Sequence, residues 1–395
     1  MRFRFPVAAL LVLTAHVACS SHSETPEQTT QAADTTSVMH LIGTAVVGPG
    51  KESFICQLVQ MPVGDSYVVK LSHEYTPGSH HLLLLRTDYP SIPAGKDAPF
   101  ACDEDNGGMR HVIGAVYGVQ NTVGSMQLPG GVGLPVHSGE ILMMQMHYLN
   151  AGTKDLEARV LLDVTTITDG DKIQQRAGMI GFYNPYIHAP ARSRSQATMR
   201  CPIPSDITLL TAASHMHKRG TQFDAFIDPP SGPITKTPFY TSKDWQNADV
   251  LPAPVKISAG SKLRFGCTYD NTGGDKEYFE GESAENNEMC LFGGLYYPEM
   301  GLPSDFCQTG RDRLGSGKVS CVDTLSCLKA CTENTCGDKC VVASCPGASA
   351  PLLDYQQCTK TSCAAECKTK GLACDACGEA KCKTDLDACR TVPCD

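Results

Sequence analysis

The stretch PGSHHLLLLRTDYP (residues 77–90) sets two adjacent histidines, His80 and His81, at the mouth of an apolar run that otherwise reads as a buried strand. Side chains on a strand alternate between faces, so a regular strand would bury one imidazole and expose the other. Either the two rings have different roles or the strand bends beneath them. Similar short apolar runs, SYVVKLS, EILMMQMHYL and ARVLLDVTT, recur between Gly- and Pro-rich turns. That alternation of short runs and turn signals is all-β patterning.

Working outward, a chain of 395 residues is too long for one ordinary domain. TITDGDK marks a junction, after which QATMRCPI, ITLLTAASHMH, QFDAFID, KLRFGCTYD and MCLFGGLYY repeat the pattern. Two tandem antiparallel β-sandwich domains are therefore expected, over 38–168 and 169–309. The cysteines mark a third region. After Cys19, six are dispersed (Cys56, Cys102, Cys201, Cys267, Cys290 and Cys307) and fourteen lie between Cys321 and Cys394. The segment QTGRDRLGSGKVS supplies a linker at 310–320, and 321–395 forms a small disulfide-rich module. Its Cys-x3-Cys pairs, Cys327/Cys331, Cys336/Cys340 and Cys363/Cys367, place two thiols on one helical face, among Ala, Lys and Glu that favour helix. Fourteen cysteines leave the connectivity open.

Residues 1–18 combine a basic start (Arg2, Arg4) with an apolar segment and read as an export signal. Cys19 follows as a lipidation site, and 19–37 is a polar tether without the apolar content for a core. No later segment is long and apolar enough to cross a bilayer, so contact with a membrane is expected only through an N-terminal lipid anchor. The expected location is the cell envelope, as a lipoprotein, or the extracellular space. Loss of Arg2 and Arg4 takes the net charge from -9 to -11, which argues against nucleic-acid binding. Twenty-one cysteines behind an export signal imply an oxidising compartment.

The chemistry concentrates in three places. In AASHMHKRG, His215 and His217 project to the same strand face, with Cα atoms roughly 6.5 to 7 Å apart, close enough to share a metal. They read equally as polar residues on a solvated edge. Met289, in NNEMCLFGGLYYP, sits in a polar segment before an apolar strand; a thioether with two imidazoles makes a soft set that suits copper, although methionine is most often core filler. His147, in MQMHYLN, shares a strand face with Gln145 and would complete an all-imidazole site with His80 and His81 if the three converge. Otherwise His80 packs, His81 is solvated and His147 is an isolated core histidine.

SHHLLLL, LMMQMHYLN, SHMHKRG and NNEMCLFGGLYYP, in this order, resemble the copper type II ascorbate-dependent monooxygenases, the family of peptidylglycine α-hydroxylating and dopamine β-monooxygenases. The similarity runs from about Val38 to Cys307 and includes LPGGVGLPVHSGE and ISAGSKLRFGCTYDN. It implies two jelly-roll-like sandwiches, each holding one copper, that face each other across an open solvent cleft. By motif, His80, His81 and His147 would hold an electron-storing copper. His215, His217 and Met289 would hold the copper at which oxygen is activated, and so form the catalytic set. The resemblance implies hydroxylation of a C–H bond of a small organic substrate with O2, ascorbate donating the electrons. It also implies the disulfides Cys56–Cys102, Cys201–Cys307 and Cys267–Cys290.

Departures narrow the substrate. Peptidylglycine enzymes carry an arginine two residues before the His-x-His pair and a tyrosine four residues after the methionine, where this chain has Ala213 and Gly293. A peptidylglycine substrate is therefore not expected, and CTYDN and EMCLFGGLYYP lie nearer the dopamine-type branch. The competing function is a catalytically silent surface copper-binding or adhesion lipoprotein on the same scaffold. The Cys-rich tail reads equally as a module for a protein partner, a stalk or a stability cap. His40, His73, His111, His137 and His188 match no ligand motif and read as surface or hydrogen-bonded residues. Trp245, the one tryptophan, reads as packing, and LPGGVGLP as a turn, not a phosphate loop.

Overall fold

The computed structural model describes residues 36–102, 109–168, 170–301, 305–307, 315, 317–368 and 371–394. The export signal, Cys19 and nearly all of the tether lie outside the described residues, so those expectations are not addressed by it. The described chain is mostly antiparallel β-sheet with a small helical C-terminal region, as the patterning requires.

The first core lies between two sheets. One has six strands, ordered Thr36–Val47, Leu156–Ile167, Ser66–Tyr75, Val132–Val136 and Gln175–Arg176, with Val123–Gln127 also pairing on Ser66–Tyr75. The other orders Phe100–Ala101, Glu52–Gln60, Ile141–Leu149, Ser79–Thr87 and Val112–Val119. Period-two burial along Leu156–Ile167 turns Ala158, Val160, Leu162 and Val164 inward, where they meet Leu82, Leu84, Met144 and Met146 of the opposite sheet.

The second core repeats the plan. Val255–Ile257, Ile207–Met216, Cys290–Tyr297, Gly178–Tyr183 and Phe306–Cys307 form one sheet; Arg194–Pro202, Lys262–Asp270, Gly220–Asp228 and Tyr240–Ser242 form the other. Phe223 fills the space between them, its ring 5.8 Å from Phe265 and 5.6 Å from Phe292. Cys201–Cys307 and Cys267–Cys290 each staple one sheet to the other, and Cys56–Cys102 ties Glu52–Gln60 to the segment after Phe100–Ala101.

The two sheet pairs share a seam. Leu295, on a strand of the second pair, is buried in the core of the first, with Leu210 and Tyr297 packed beside it. Two segments depart from the expected organisation. Gln175–Arg176, expected in the second domain, pairs in parallel with Val132–Gly133 of the first sheet. Gly133 permits this, because a Cβ there would meet Ile173 and Tyr67 at 2.8 Å. Likewise the end of the expected linker joins the tail fold: Val319 bridges Ser344, and Gly317 donates its N–H to Ser344 O at 3.0 Å.

The tail comprises helices Cys321–Ala330, Asn334–Ala343, Ser349–Ser362, Leu372–Lys381 and Lys383–Thr391. Ser320 caps the first by accepting from Asp323 N–H. The Cys-x3-Cys thiols bridge neighbouring segments: Cys327–Cys340 with Cys331–Cys336, and Cys363–Cys377 with Cys367–Cys374. Cys321–Cys389, Cys345–Cys394 and Cys358–Cys382 close the module around Leu325, Leu352, Tyr355 and Leu386. A core this small depends on such staples. Among the described residues no helix is long and apolar enough to cross a membrane.

Two predictions follow from this packing. Leu295→Ala should cost about 2–5 kcal/mol, read as a lowered urea midpoint by Trp245 fluorescence; an unchanged midpoint would mean the seam is not load-sharing. The tail meets the second sheet pair at the helix Asn334–Ala343, where Lys339 pairs with Glu277 at 2.6 Å and lies over the Phe279 ring while Asp338 faces the like charge of Glu280. Part-exposed ion pairs of this kind contribute little. A chain ended at Thr309 should keep its cooperative unfolding, with a Tm within a few degrees of the full protein by calorimetry.

Candidate metal centre

The adjacent histidines are accommodated by a bulge. Ser79 faces Tyr148 across the ladder and His81 faces His147, so His80 is the extra residue with no ladder partner. A bulge bends its strand and re-aims the side chain it carries. Gly78, at φ +102°, supplies the left-handed turn that feeds the strand. As a result the His80, His81 and His147 rings come together, with centroids 5.4 Å apart for His80–His81, 5.0 Å for His80–His147 and 4.8 Å for His81–His147.

The other set rests on an unbulged stretch. His215 faces Leu291 and Met216 faces Cys290 across the ladder. The ladder ends there, with His217 and Met289 the residues directly beyond it on the two strands. The His215 and His217 centroids are 5.3 Å apart. Cys267–Cys290 anchors the residue directly after Met289. The two departures from the peptidylglycine pattern are cross-strand partners, since Ala213 faces Gly293 in the same ladder. Together they leave small residues where two large polar side chains would meet.

The two sets are not separated by an open cleft, contrary to the expectation drawn from the resemblance. His80 lies 4.9 Å from His215 and 5.8 Å from His217, ring to ring, and His81 lies 5.2 Å from His215. One ligand atom each from His80, His81 and His215 falls within 4.8 Å of the others. The cause is the seam: packing of Leu295, Leu210 and Tyr297 against the first core carries the His-x-His strand onto the bulge.

Neighbours orient the rings. His81 Nε2–H donates to Gln145 Oε1 at 3.0 Å, and Gln145 Nε2 donates to Met109 Sδ at 2.9 Å. His147 Nε2–H donates to Glu52 Oε1 at 2.9 Å while Phe54 stacks on its ring at 3.9 Å. Trp245 stands edge-on to His80 at 5.5 Å, so it borders the cluster as well as packing on the second core. Glu52 and Phe54 were not singled out from the sequence. Their relation to His147 comes from ladder register, in which Phe54 faces His147.

Burial governs the protonation of the cluster. It pushes His81 and His217 down to about 4, a Gln145 hydrogen bond opposing the effect at His81. His80, His147 and His215 are also lowered strongly, first by burial and then by neighbouring imidazoles that disfavour further positive charge. All five are neutral at pH 7, and a neutral imidazole offers a lone pair to a metal. Next to Met289, Glu288 is pushed up to about 7 by burial, against hydrogen bonds from the Arg219 N–H and guanidinium.

The other described histidines have separate partners. His73 is buried between Tyr117 OH at 2.8 Å and Asn121 O at 2.9 Å, and His40, His111, His137 and His188 pair with Asp163, Asp88, Asp65 and Glu277. The Cys327, Cys331 and Cys340 cluster is made of disulfide-bonded thiols, which are not available as thiolate ligands.

Residues 179–313 match a family described as copper type II ascorbate-dependent monooxygenase, C-terminal domain. The match takes in His215, His217 and Met289, and it supports that family and, with it, an oxidoreductase class of activity. No curated protein matches the chain. Among solved structures, the Macrobrachium rosenbergii nodavirus is 11% identical, covering 72% of this chain and 96% of that one at a TM-score of 0.18. A vicilin from Solanum melongena is 8% identical, covering 66% and 74% at a TM-score of 0.12. Scores this low carry no argument.

The lowered histidines set the sign of a pH effect. Between about pH 4 and their ordinary value near 6.5, the unfolded chain binds more protons at His81 and His217 than the folded chain, so stability falls as pH falls through that window. Glu288 acts oppositely, as one group against several. The metal-free protein should therefore lose Tm from pH 7 to pH 5, and His215→Gln should flatten that slope. A Tm that rose on acidification would contradict the burial of the cluster.

Proposed function

We propose that this protein is a copper-dependent monooxygenase that hydroxylates a C–H bond of a small organic substrate with O2 and ascorbate. The observation that supports it most is the convergence of His80, His81, His147, His215 and His217 in one buried cluster, with Met289 directly before the strand that pairs with the His215 strand. The donor set fits copper. His80 Nε2 and His215 Nε2 are buried without hydrogen-bond partners, the Glu52 carboxylate accepts from His147, and Glu288 accepts from Arg219 through Oε1 while its Oε2 is buried without a partner. Imidazole with thioether, and no carboxylate ligand, favours copper over zinc or calcium.

In this reading His80, His81 and His147 hold one copper and His215, His217 and Met289 a second, two per chain. Copper in such a set supplies one-electron redox chemistry and oxygen activation, while the protein supplies geometry. Gln145 and Glu52 fix which nitrogen of His81 and His147 carries the proton, so that Nδ1 would be the metal-binding atom of each ring. The bulge aims two consecutive rings inward, and Phe54 and Trp245 wall the cluster with apolar surface. The Ala213 and Gly293 pair provides no polar hold for a peptide carboxylate, so a small substrate without that group is preferred. We further propose export with Cys19 lipidated: the ten disulfides pair every other cysteine.

Metal analysis should give close to two coppers per chain, with His81→Ala and His215→Ala each removing about one, and Cu(II) should quench Trp245 fluorescence. A content of one copper, lost in both variants, would assign a shared ion to His80, His81 and His215. For the reaction, oxygen consumption should depend on ascorbate and be coupled to hydroxylated product. Met289→Ile should retain copper at the first set yet lose coupled hydroxylation by at least about a hundredfold. If a broad amine, phenol and peptide panel yielded no product and Met289→Ile changed nothing, a silent copper-binding scaffold would replace the enzyme.

A further inference from the structure

One carboxylate joins the two ligand sets outside the cluster itself. Glu52 opens the strand Glu52–Gln60 in the first sheet pair and is about four-fifths shielded from solvent, its side chain 18% exposed. Oε1 accepts the His147 Nε2–H at 2.9 Å and the backbone N–H of Ala284 at 2.8 Å; Oε2 accepts the Ser283 hydroxyl at 2.6 Å. Ser283 and Ala284 belong to the second sheet pair's loop that leads into Met289. That loop is stiff at its far end, where Asn287 N–H donates to Ser283 O at 2.8 Å and Arg219 donates to Glu285 O and Glu288 Oε1. Arg219 itself stands two residues beyond His217.

We infer that Glu52 is a positioning residue that clasps the Ser283–Ala284 loop of the second sheet pair and at the same time fixes His147, so that closure of the seam and the orientation of a first-set ligand are set together. The inference deepens the copper reading and rests on it. A carboxylate on the outer nitrogen of a ligating histidine fixes its tautomer and ring orientation. Here two of that carboxylate's three bonds come from the other sheet pair. Opening the seam would remove both and leave His147 on a slack acceptor, whereas closing it aligns the acceptor and the ring. Phe54, stacked on His147, limits the ring's freedom to adjust alone.

The test uses the full chain with three substitutions. Glu52→Ala should weaken one of the two coppers about 10- to 100-fold in competition with a chelator, and should change its Cu(II) EPR signal. Glu52→Gln keeps an acceptor and should restore most of the affinity. Ser283→Ala touches no proposed ligand, yet it should weaken the same copper several-fold. In the metal-free protein, hydrogen exchange at the Ala284 amide should accelerate in Glu52→Ala and Ser283→Ala, a readout independent of any bound metal. Wild-type EPR, affinity and Ala284 protection in Glu52→Ala would overturn the inference. So would protection lost without any change at the copper, which would leave Glu52 a structural clasp alone. His147→Ala separates the two levels: if it keeps both coppers, the ligand assignment fails and this inference with it; if it loses one while Glu52→Ala loses none, only this inference fails.

Discussion

Five imidazoles enclosed at the seam between two sheet pairs are the constraint to which the rest of the structure answers. A buried polar atom left without a partner costs about 1–3 kcal/mol, and His80 Nε2 and His215 Nε2 are in that state. Protonation offers no escape, because burial pushes every ring of the cluster toward neutrality, and neighbouring imidazoles add to it at His80, His147, His215 and His217. A metal ion bound there would satisfy the lone pairs that burial has stripped of water, and its binding energy would then add to that of the fold. Ring nitrogens of His80, His81 and His215 within 4.8 Å of one another are costly for a purely structural core and useful for a metal centre.

Two different backbone devices deliver the rings. On the first sheet pair an inserted residue breaks the alternation of the strand, so the rings of consecutive histidines come together. On the second, ordinary alternation suffices, since residues 215 and 217 already share a face. The disulfides support these devices without entering the chemistry. Cys267–Cys290 fixes the residue after Met289, and Cys56–Cys102 secures the strand that carries Glu52 and Phe54. The C-terminal helices follow a separate economy, in which seven disulfides compensate for a core of few apolar side chains.

Side-chain chemistry along the strands was legible from the sequence because it depends on local pattern. Period-two alternation marked the strands, turn residues marked their ends, and the clustering of cysteines marked the helical tail. The histidines and Met289 stood out because polar or soft residues interrupt apolar runs at spacings that a strand converts directly into a shared face. Ala213 and Gly293 could each be noticed as small. That they stand opposite one another was a matter of register, which no single strand specifies.

What the sequence determined by itself was therefore many of the longer strands, the identity of the candidate ligands and the oxidised state of the cysteines, all consequences of residue type and near-neighbour spacing. Tertiary structure alone decided the bulge at His80, the pairing of the fourteen tail cysteines, the placement of Glu52, Phe54 and Trp245, and the union of the two histidine sets. These rest on contacts between residues as far apart as Glu52 and Ala284, 232 positions along the chain. Such contacts are chosen by the packing of whole sheets, in which burying Leu295 in a foreign core sets the distance between the histidines.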